Sequence, residues 1–166
     1  MFSRIQTLFL FLVAICMFAC LLLPIWTKKS ADNKVTAEMS AFTLAYQKPN
    51  EKTKTNMPVF YIALTALAAG AVSLYSVLRY RNQDKNTKVA LFHQIRFSMI
   101  ASLLIMATVS LMVFLSLQGE KLAAGSARGT FQIGFFCTTL ALLFNFLASR
   151  FIRRDYNLIK SMDRLR

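Results

Sequence analysis

One histidine, three cysteines and an amide inside an oily run are the side chains in this sequence best suited to chemistry. His93 stands beside Gln94 and close to Arg96. An imidazole titrates near neutrality and can move a proton or bind a metal. A metal site needs several donors, and no Cys, Asp or Glu clusters around His93 in sequence. An interfacial polar cap is the reading that fits His93, with a membrane enzyme using it near headgroups as a third and weaker hypothesis. Cys16 and Cys20 share a helical face, and Cys137 stands apart. All three lie in apolar stretches without the loop context of a zinc or redox motif, so they read as small hydrophobes. Asn145 is different, because an amide surrounded by hydrocarbon side chains needs a partner. Its expected partners are the hydroxyls of Ser102 or Thr108, or of Ser73. The contact reads as interhelical glue, with a substrate or ion contact as the sharper alternative. No phosphate-binding loop, dinucleotide glycine pattern, HExxH or nucleophile elbow is present. No enzyme activity and no cofactor or metal is therefore expected.

These residues have to be positioned by the elements around them. The chain of 166 residues is 56% hydrophobic and 16% charged, against roughly 45–50% and about 25% for soluble domains. The excess apolar surface must be covered by lipid or by other proteins. Four runs account for it, and we read them as spans at residues 5–26, 57–78, 97–117 and 131–151. Each is about 20 residues long, enough to cross a ~30 Å hydrocarbon core as helix. The first run is too long for the h-region of a signal peptide and continues through Leu21, Leu22 and Leu23 beyond Cys20, so an uncleaved helix is expected. The fold expected is all-α: a single domain over residues 1–166, a polytopic bundle of four transmembrane helices.

The net charge of +13 suits an anionic membrane surface better than nucleic acid, because most aromatics lie inside the apolar runs and away from the cations. Arg4, Arg79, Arg81, Lys85, Lys88, Arg96, Arg150, Arg153, Arg154, Lys160, Arg164 and Arg166 fall on one side of such a bundle. Lys28, Lys29, Lys34, Lys48, Lys52, Lys54, Lys121 and Arg128 fall on the other. Only one of the latter is arginine. The positive-inside rule then puts both termini in the cytoplasm.

Residues 27–56 are longer than the usual helix connection of about 2–8 residues. Phe42, Leu44 and Tyr46 alternate there with smaller residues, which allows a short strand, but a solvated loop with one aromatic anchor is the preferred expectation. Ala66 and Gly70 are four apart, with Ala63 and Ser73 extending the strip. Small residues at this spacing let two helices approach closely, and a neighbour in the same chain is expected. The last residues, 152–166, carry Ile152, Tyr156, Leu158, Ile159, Met162 and Leu165, which continue from Phe151 at helical spacing around a basic face. They read as a cytoplasmic amphipathic helix. Its apolar face would lie on lipid, and Arg150, Arg153, Arg154, Lys160 and Arg164 would meet anionic headgroups or a docked partner.

The stretches RIQTLFLFLVAI, from Arg4, and LASRFIRRDYNLIKSMDRLR, from Leu147, carry a resemblance. Arg150, Ile152, Arg153, Arg154 and Asp155 match a closing R-x-I-[RK]-[RK]-D pattern, followed by a terminal D-R-L-R at Asp163 to Arg166. The chain resembles an uncharacterised family of short four-span membrane proteins of Bacteroidota, a domain-of-unknown-function family. The resemblance implies the topology and the inner-membrane location, and no catalytic residue.

The leading expectation for function is an accessory or structural subunit beside other membrane proteins of a larger complex. The alternative is a small carrier or channel for a lipid-like or neutral solute, lined by Asn145, Thr138, Ser102 and Thr108.

Overall fold

The computed structural model describes residues 3–29, 35–47, 53–82, 87–123 and 128–164. Lys34, Lys48, Lys52, Lys85, Leu165 and Arg166 lie outside them, as do the side chains of Arg4, Arg81, Lys88, Met162 and Arg164.

Four helices dominate: α1 (Ser3–Leu22), α2 (Phe60–Asn82), α3 (Thr87–Leu122) and α4 (Ile133–Arg164). All four are long and apolar enough to cross a membrane. Each packs on two neighbours, α1 on α2 and α4, and α3 on α2 and α4. Their directions alternate, the up-down-up-down arrangement of a four-helix bundle. Charge-free sequence makes every face apolar, and the interior is chosen by fit. Three layers of buried side chains stack along the axis. Cys20, Ile62, Ala63 and Met112 lie at one end, and Val13, Met17, Ala66, Ala69, Ile105 and Ala141 in the middle. Leu10, Leu91, Ala148 and Ile152 lie at the other end. The outward faces carry large apolar residues, with Leu64 at 69% and Leu103 at 70% exposure.

The expectation of an all-α chain needs correction. A five-stranded antiparallel sheet closes one end of the bundle: β1 (Trp26–Lys29), β2 (Val35–Met39), β3 (Thr43–Gln47), β4 (Lys54–Pro58) and β5 (Thr130–Phe131), in the order β4-β3-β2-β1-β5. The region expected to be a solvated loop holds four of these strands. The spans shorten accordingly. Trp26, Met57 and Phe131, read as span residues, are strand residues that pair with Met39, Leu44 and Trp26 respectively. The chain leaves α1 here because Pro24 has no N–H to continue a helix and disfavours helical geometry at Leu23. The hairpin from β2 to β3 turns on Ser40, whose Oγ accepts the backbone N–H of Thr43 at 3.2 Å.

Register puts Trp26, Lys28, Ala37, Met39, Leu44 and Tyr46 on one face, and all are buried against the helix ends. The Trp26 indole lies between two glycines. A Cβ at Gly119 would stand 3.1 Å from the ring, and one at Gly129 would collide with it. Only glycine at 129 leaves room for the indole. Backbone bonds complete the joint, from Gln132 N to Ile25 O at 2.9 Å and from Gly134 N to Pro24 O at 3.0 Å. A Cβ at Gly134 would sit 2.8 Å from Pro24 O, so glycine permits this contact between the chain leaving α1 and the start of α4.

Lys28 is the unexpected member of that face. It is 3% exposed, and its Nζ donates to Glu120 O at 3.1 Å and Ala123 O at 3.0 Å. These carbonyls belong to the C-terminal end of α3, where a helix leaves acceptors unsatisfied and favours a cation. Lys28→Met keeps the length and removes the donor. We expect it to lower stability by about 1–3 kcal/mol, the range for a buried group left unpaired. Trp26 is the only tryptophan, so thermal unfolding followed by its emission reads the loss. Lys121→Met, at an exposed neighbour, should stay within about 0.5 kcal/mol.

The two long helices differ from expectation at the opposite end. α2 runs on to Asn82 and α3 starts at Thr87, so most of the basic inner loop is helical. Helix α4 continues unbroken from the fourth apolar run through Arg164. Its last turns do not present a bare apolar face. Ile152 is fully buried with Leu10 and Leu91, and Tyr156 and Ile159 pack beside them. Phe151 stacks on Phe9 at 5.8 Å, and Tyr156 meets Phe92 at 6.4 Å. Part of the apolar face expected to lie on lipid, Phe151, Ile152, Tyr156 and Ile159, is turned onto the other helices, while Leu158 is 54% exposed.

Candidate functional site

Between the middle layer and the far layer lies the polar centre of the bundle. α4 presents Ala141, Asn145, Ala148 and Ile152 inward, at spacings of four, three and four, which keep one face of a helix aligned. α3 presents Leu91, Gln94, Ser98, Ala101 and Ile105 in the same way. Asn145 and Ser98 therefore meet. Asn145 Nδ2 donates to Ser98 O at 3.0 Å and to Ser102 Oγ at 2.7 Å. Its Oδ1 accepts from Ser98 Oγ at 3.1 Å. Both amide hydrogens and the carbonyl are used, which satisfies the side chain. Ser149 joins the set, its Oγ 2.6 Å from that of Ser98 and donating to Asn145 O at 2.9 Å.

Of the partners proposed from sequence, Ser102 is brought to Asn145 and two are not. Thr108 is buried and donates to Leu104 O of its own helix at 2.8 Å. Ser73 is buried with no hydrogen-bond partner among the described residues. Thr138, named as a pore residue, is buried and donates to Gly134 O at 3.0 Å. Ser98 and Ser149 were not found from sequence. Ser98 is the second residue of its charge-free run and resembles a boundary residue, and only the α3–α4 register exposes its role.

The polar centre extends toward the termini. Ser73 and Ser76 on α2, Gln94 on α3 and Gln6 on α1 are all buried. Gln6 Nε2 donates to Asp155 Oδ2 of α4. The Gln6 Oε1, both amide atoms of Gln94 and the two serine hydroxyls have no partner among the described residues. Ser73 stands midway between Ala69 of the middle layer and Val77, which packs on the far layer, so it lies at the level of Asn145. An unpaired buried group costs about 1–3 kcal/mol, so this half of the interior is poorly matched to dry packing.

A cavity of about 280 Å³ opens beside this centre, between α3 and α4. Ser102, Ser149, Met99, Phe146, Arg150 and Arg153 line it. The small-residue strip lies elsewhere. Ala66 is fully buried, and a Cβ at Gly70 would meet Phe18 at 3.4 Å and Met17 at 3.6 Å, so the strip faces α1 of the same chain. Arg150, Arg153, Arg154 and Lys160 are exposed. Arg79 donates to the Tyr75 hydroxyl at 3.1 Å, and Arg96 lies over the Phe92 ring at 4.5 Å. His93 is half-buried with its ring beside Phe92. Among the described residues, no three His, Cys, Asp or Glu side chains are placed to hold a metal ion.

A bundle of four membrane-length helices closed by a sheet is the unit that the family comparison covers. The model of a domain of unknown function, DUF4293, matches residues 2–165. The chain belongs to that family. The match takes in the sheet, the polar centre and the arginines of α4 together, so these are features of one DUF4293 domain. No curated protein matches the chain.

Proposed function

We propose that this DUF4293 chain is a multi-pass protein of a bacterial inner membrane that serves as a non-catalytic accessory or structural subunit of a larger membrane complex. Both termini and the arginine-rich end of the bundle lie in the cytoplasm, and the sheet lies outside. Four apolar helices with large exposed side chains support the membrane reading. The confinement of nearly all arginine to the end away from the sheet supports the orientation. The resemblance of the two chain ends supports a source in Bacteroidota.

The observation that carries the structural role is the joint around Trp26, Lys28 and Gly134. It ties α1, α3 and α4 together at one end, while Asn145 ties α3 to α4 further along. A carrier must alternate between two packings. Ties at two levels favour a single packing, which suits a part that holds a neighbour in place. The exposed apolar sides of the helices and the exposed cations of α4 are the surfaces such a neighbour would use. Crosslinking in cells, followed by purification in mild detergent, should bring down one reproducible membrane partner. A lone monodisperse monomer without crosslinks would contradict the proposal.

One observation favours the second reading, a carrier or channel for a lipid-like or neutral solute: the unpaired polar atoms of Gln6, Ser73, Ser76 and Gln94. Of the lining named for it, Thr108 and Thr138 donate to their own helices and Asn145 is bonded to Ser102. A solute path would therefore run past Gln94 and Ser76 instead. Cysteine placed at Ser76 should then react with a water-soluble thiol reagent, and protection there would remove this reading.

A further inference from the structure

The cavity between α3 and α4 joins two kinds of surface. At its mouth stand Arg150 and Arg153, three apart on α4 and therefore on one face. Neither has a carboxylate partner among the described residues, and no Asp or Glu lines the cavity. Arg79 and Arg96, by contrast, are engaged by Tyr75 and by Phe92. Two exposed guanidiniums with no acidic partner among the described residues make a site for an anion. Their planar forks match the oxygens of a phosphate.

At the floor, Ser102 and Ser149 have their hydrogens directed to Ser98 O and Asn145 O. They shape the cavity and do not donate into it. The other side is apolar. Met99 and Phe146 line the cavity and are 52% and 66% exposed. Leu103 and Met106 continue from Met99 along α3 at helical spacing, and Leu143 continues from Phe146 along α4, all exposed and all leading toward the sheet end. A free phosphate has no use for that groove. An amphiphile fills both parts.

We propose that the α3–α4 groove binds an anionic phospholipid, with the phosphate between Arg150 and Arg153 and an acyl chain along Met99, Leu103 and Phe146. The inference rests on the reading that the helices cross a membrane, which puts Arg150, just past the last apolar turn, at headgroup depth. Asn145 acts as a positioning residue, since its bonds to Ser98 and Ser102 set the separation of α3 and α4 at the cavity floor.

The test uses the full chain in mixed micelles of a non-ionic detergent with phosphatidylglycerol or phosphatidylcholine, and counts bound lipid by native mass spectrometry. The wild type should retain phosphatidylglycerol in preference to phosphatidylcholine. The double variant Arg150→Gln, Arg153→Gln should bind it about ten- to thirtyfold more weakly, the effect of two basic side chains at a lipid surface. The single Arg153→Gln should fall between. Arg79→Gln with Lys160→Gln removes the same charge elsewhere and should change binding less than about threefold. Excess inorganic phosphate should leave the lipid bound. Equal retention by the Arg150/Arg153 variant, equal loss in the charge control, no preference between the lipids, or displacement by inorganic phosphate would each overturn the site. A chain that stays soluble without detergent would instead overturn the membrane reading beneath it.

Discussion

Trp26→Ala should lower stability by about 3–5 kcal/mol, the range for truncating a buried aromatic. Trp26 is 2% exposed, and its indole fills the space between the end of α3 at Gly119 and the segment at Gly129 that leads into β5. Two of its neighbours, Gly119 and Gly129, have no side chains to collapse into the gap. The cavity therefore stays open, and the cost belongs at the upper part of the range. The effect should also be local in kind. The helices hold each other through layers that do not include Trp26, so the sheet should loosen while the bundle persists. Thermal melting followed by circular dichroism should show helix content retained at low temperature and a midpoint lower by about 10 °C. Phe42→Ala, at a residue 42% exposed in the turn between β2 and β3, should move the midpoint little. An unchanged midpoint for Trp26→Ala would mean that the sheet adds nothing to the bundle.

Asn145→Leu is expected to be the most damaging change inside the helices. It removes three hydrogen bonds between α3 and α4 and leaves Ser98 and Ser102 facing an apolar side chain. Hydrogen bonds between membrane helices average about 0.6 kcal/mol and reach about 1.7, so three together amount to about 2 kcal/mol. Burying the larger side chain adds strain in the same direction. Thermal melting followed by the helix signal in circular dichroism gives the readout, with Trp26 emission beside it to show whether the sheet end unfolds in the same step. Thr108→Val should be nearly silent, since Thr108 bonds only to its own helix. Equal effects of the two changes would show that Asn145 contributes bulk and not bonding.

The helices were legible in the sequence because four charge-free runs of spanning length leave few alternatives. Asn145 was legible for a related reason: one amide among apolar side chains must be satisfied somewhere. The sheet was not. Its strands have two to five residues, too few for alternation to stand out, and two of them, β1 and β4, carry lysines that read as solvated loop. Their stability comes from pairing across long separations, such as Trp26 with Phe131, which no local window contains. The same cause misplaced the span ends, since Trp26, Met57 and Phe131 continue the apolar runs without belonging to the helices. Lys28 looked like a loop cation because the carbonyls that hold it are about ninety residues further along the chain. The last turns of α4 were correctly helical, but their apolar face has two readings in sequence, lipid or neighbouring helix. Ile152 is buried against Leu10 and Leu91, while Leu158 on the same helix is exposed.

The central proposal is that the helices cross a membrane with the sheet on one side and the arginine-rich end on the other. Single cysteines introduced at Asn56, exposed on β4, and at Lys160, exposed on α4, test it most directly, in a background where Cys16, Cys20 and Cys137 are replaced by Ala. A membrane-impermeant maleimide applied to cells with a permeabilised outer membrane should label Asn56→Cys at once, and Lys160→Cys only after the inner membrane is broken. Labelling of both before breakage, the reverse order, or recovery of the protein in the soluble fraction would contradict it.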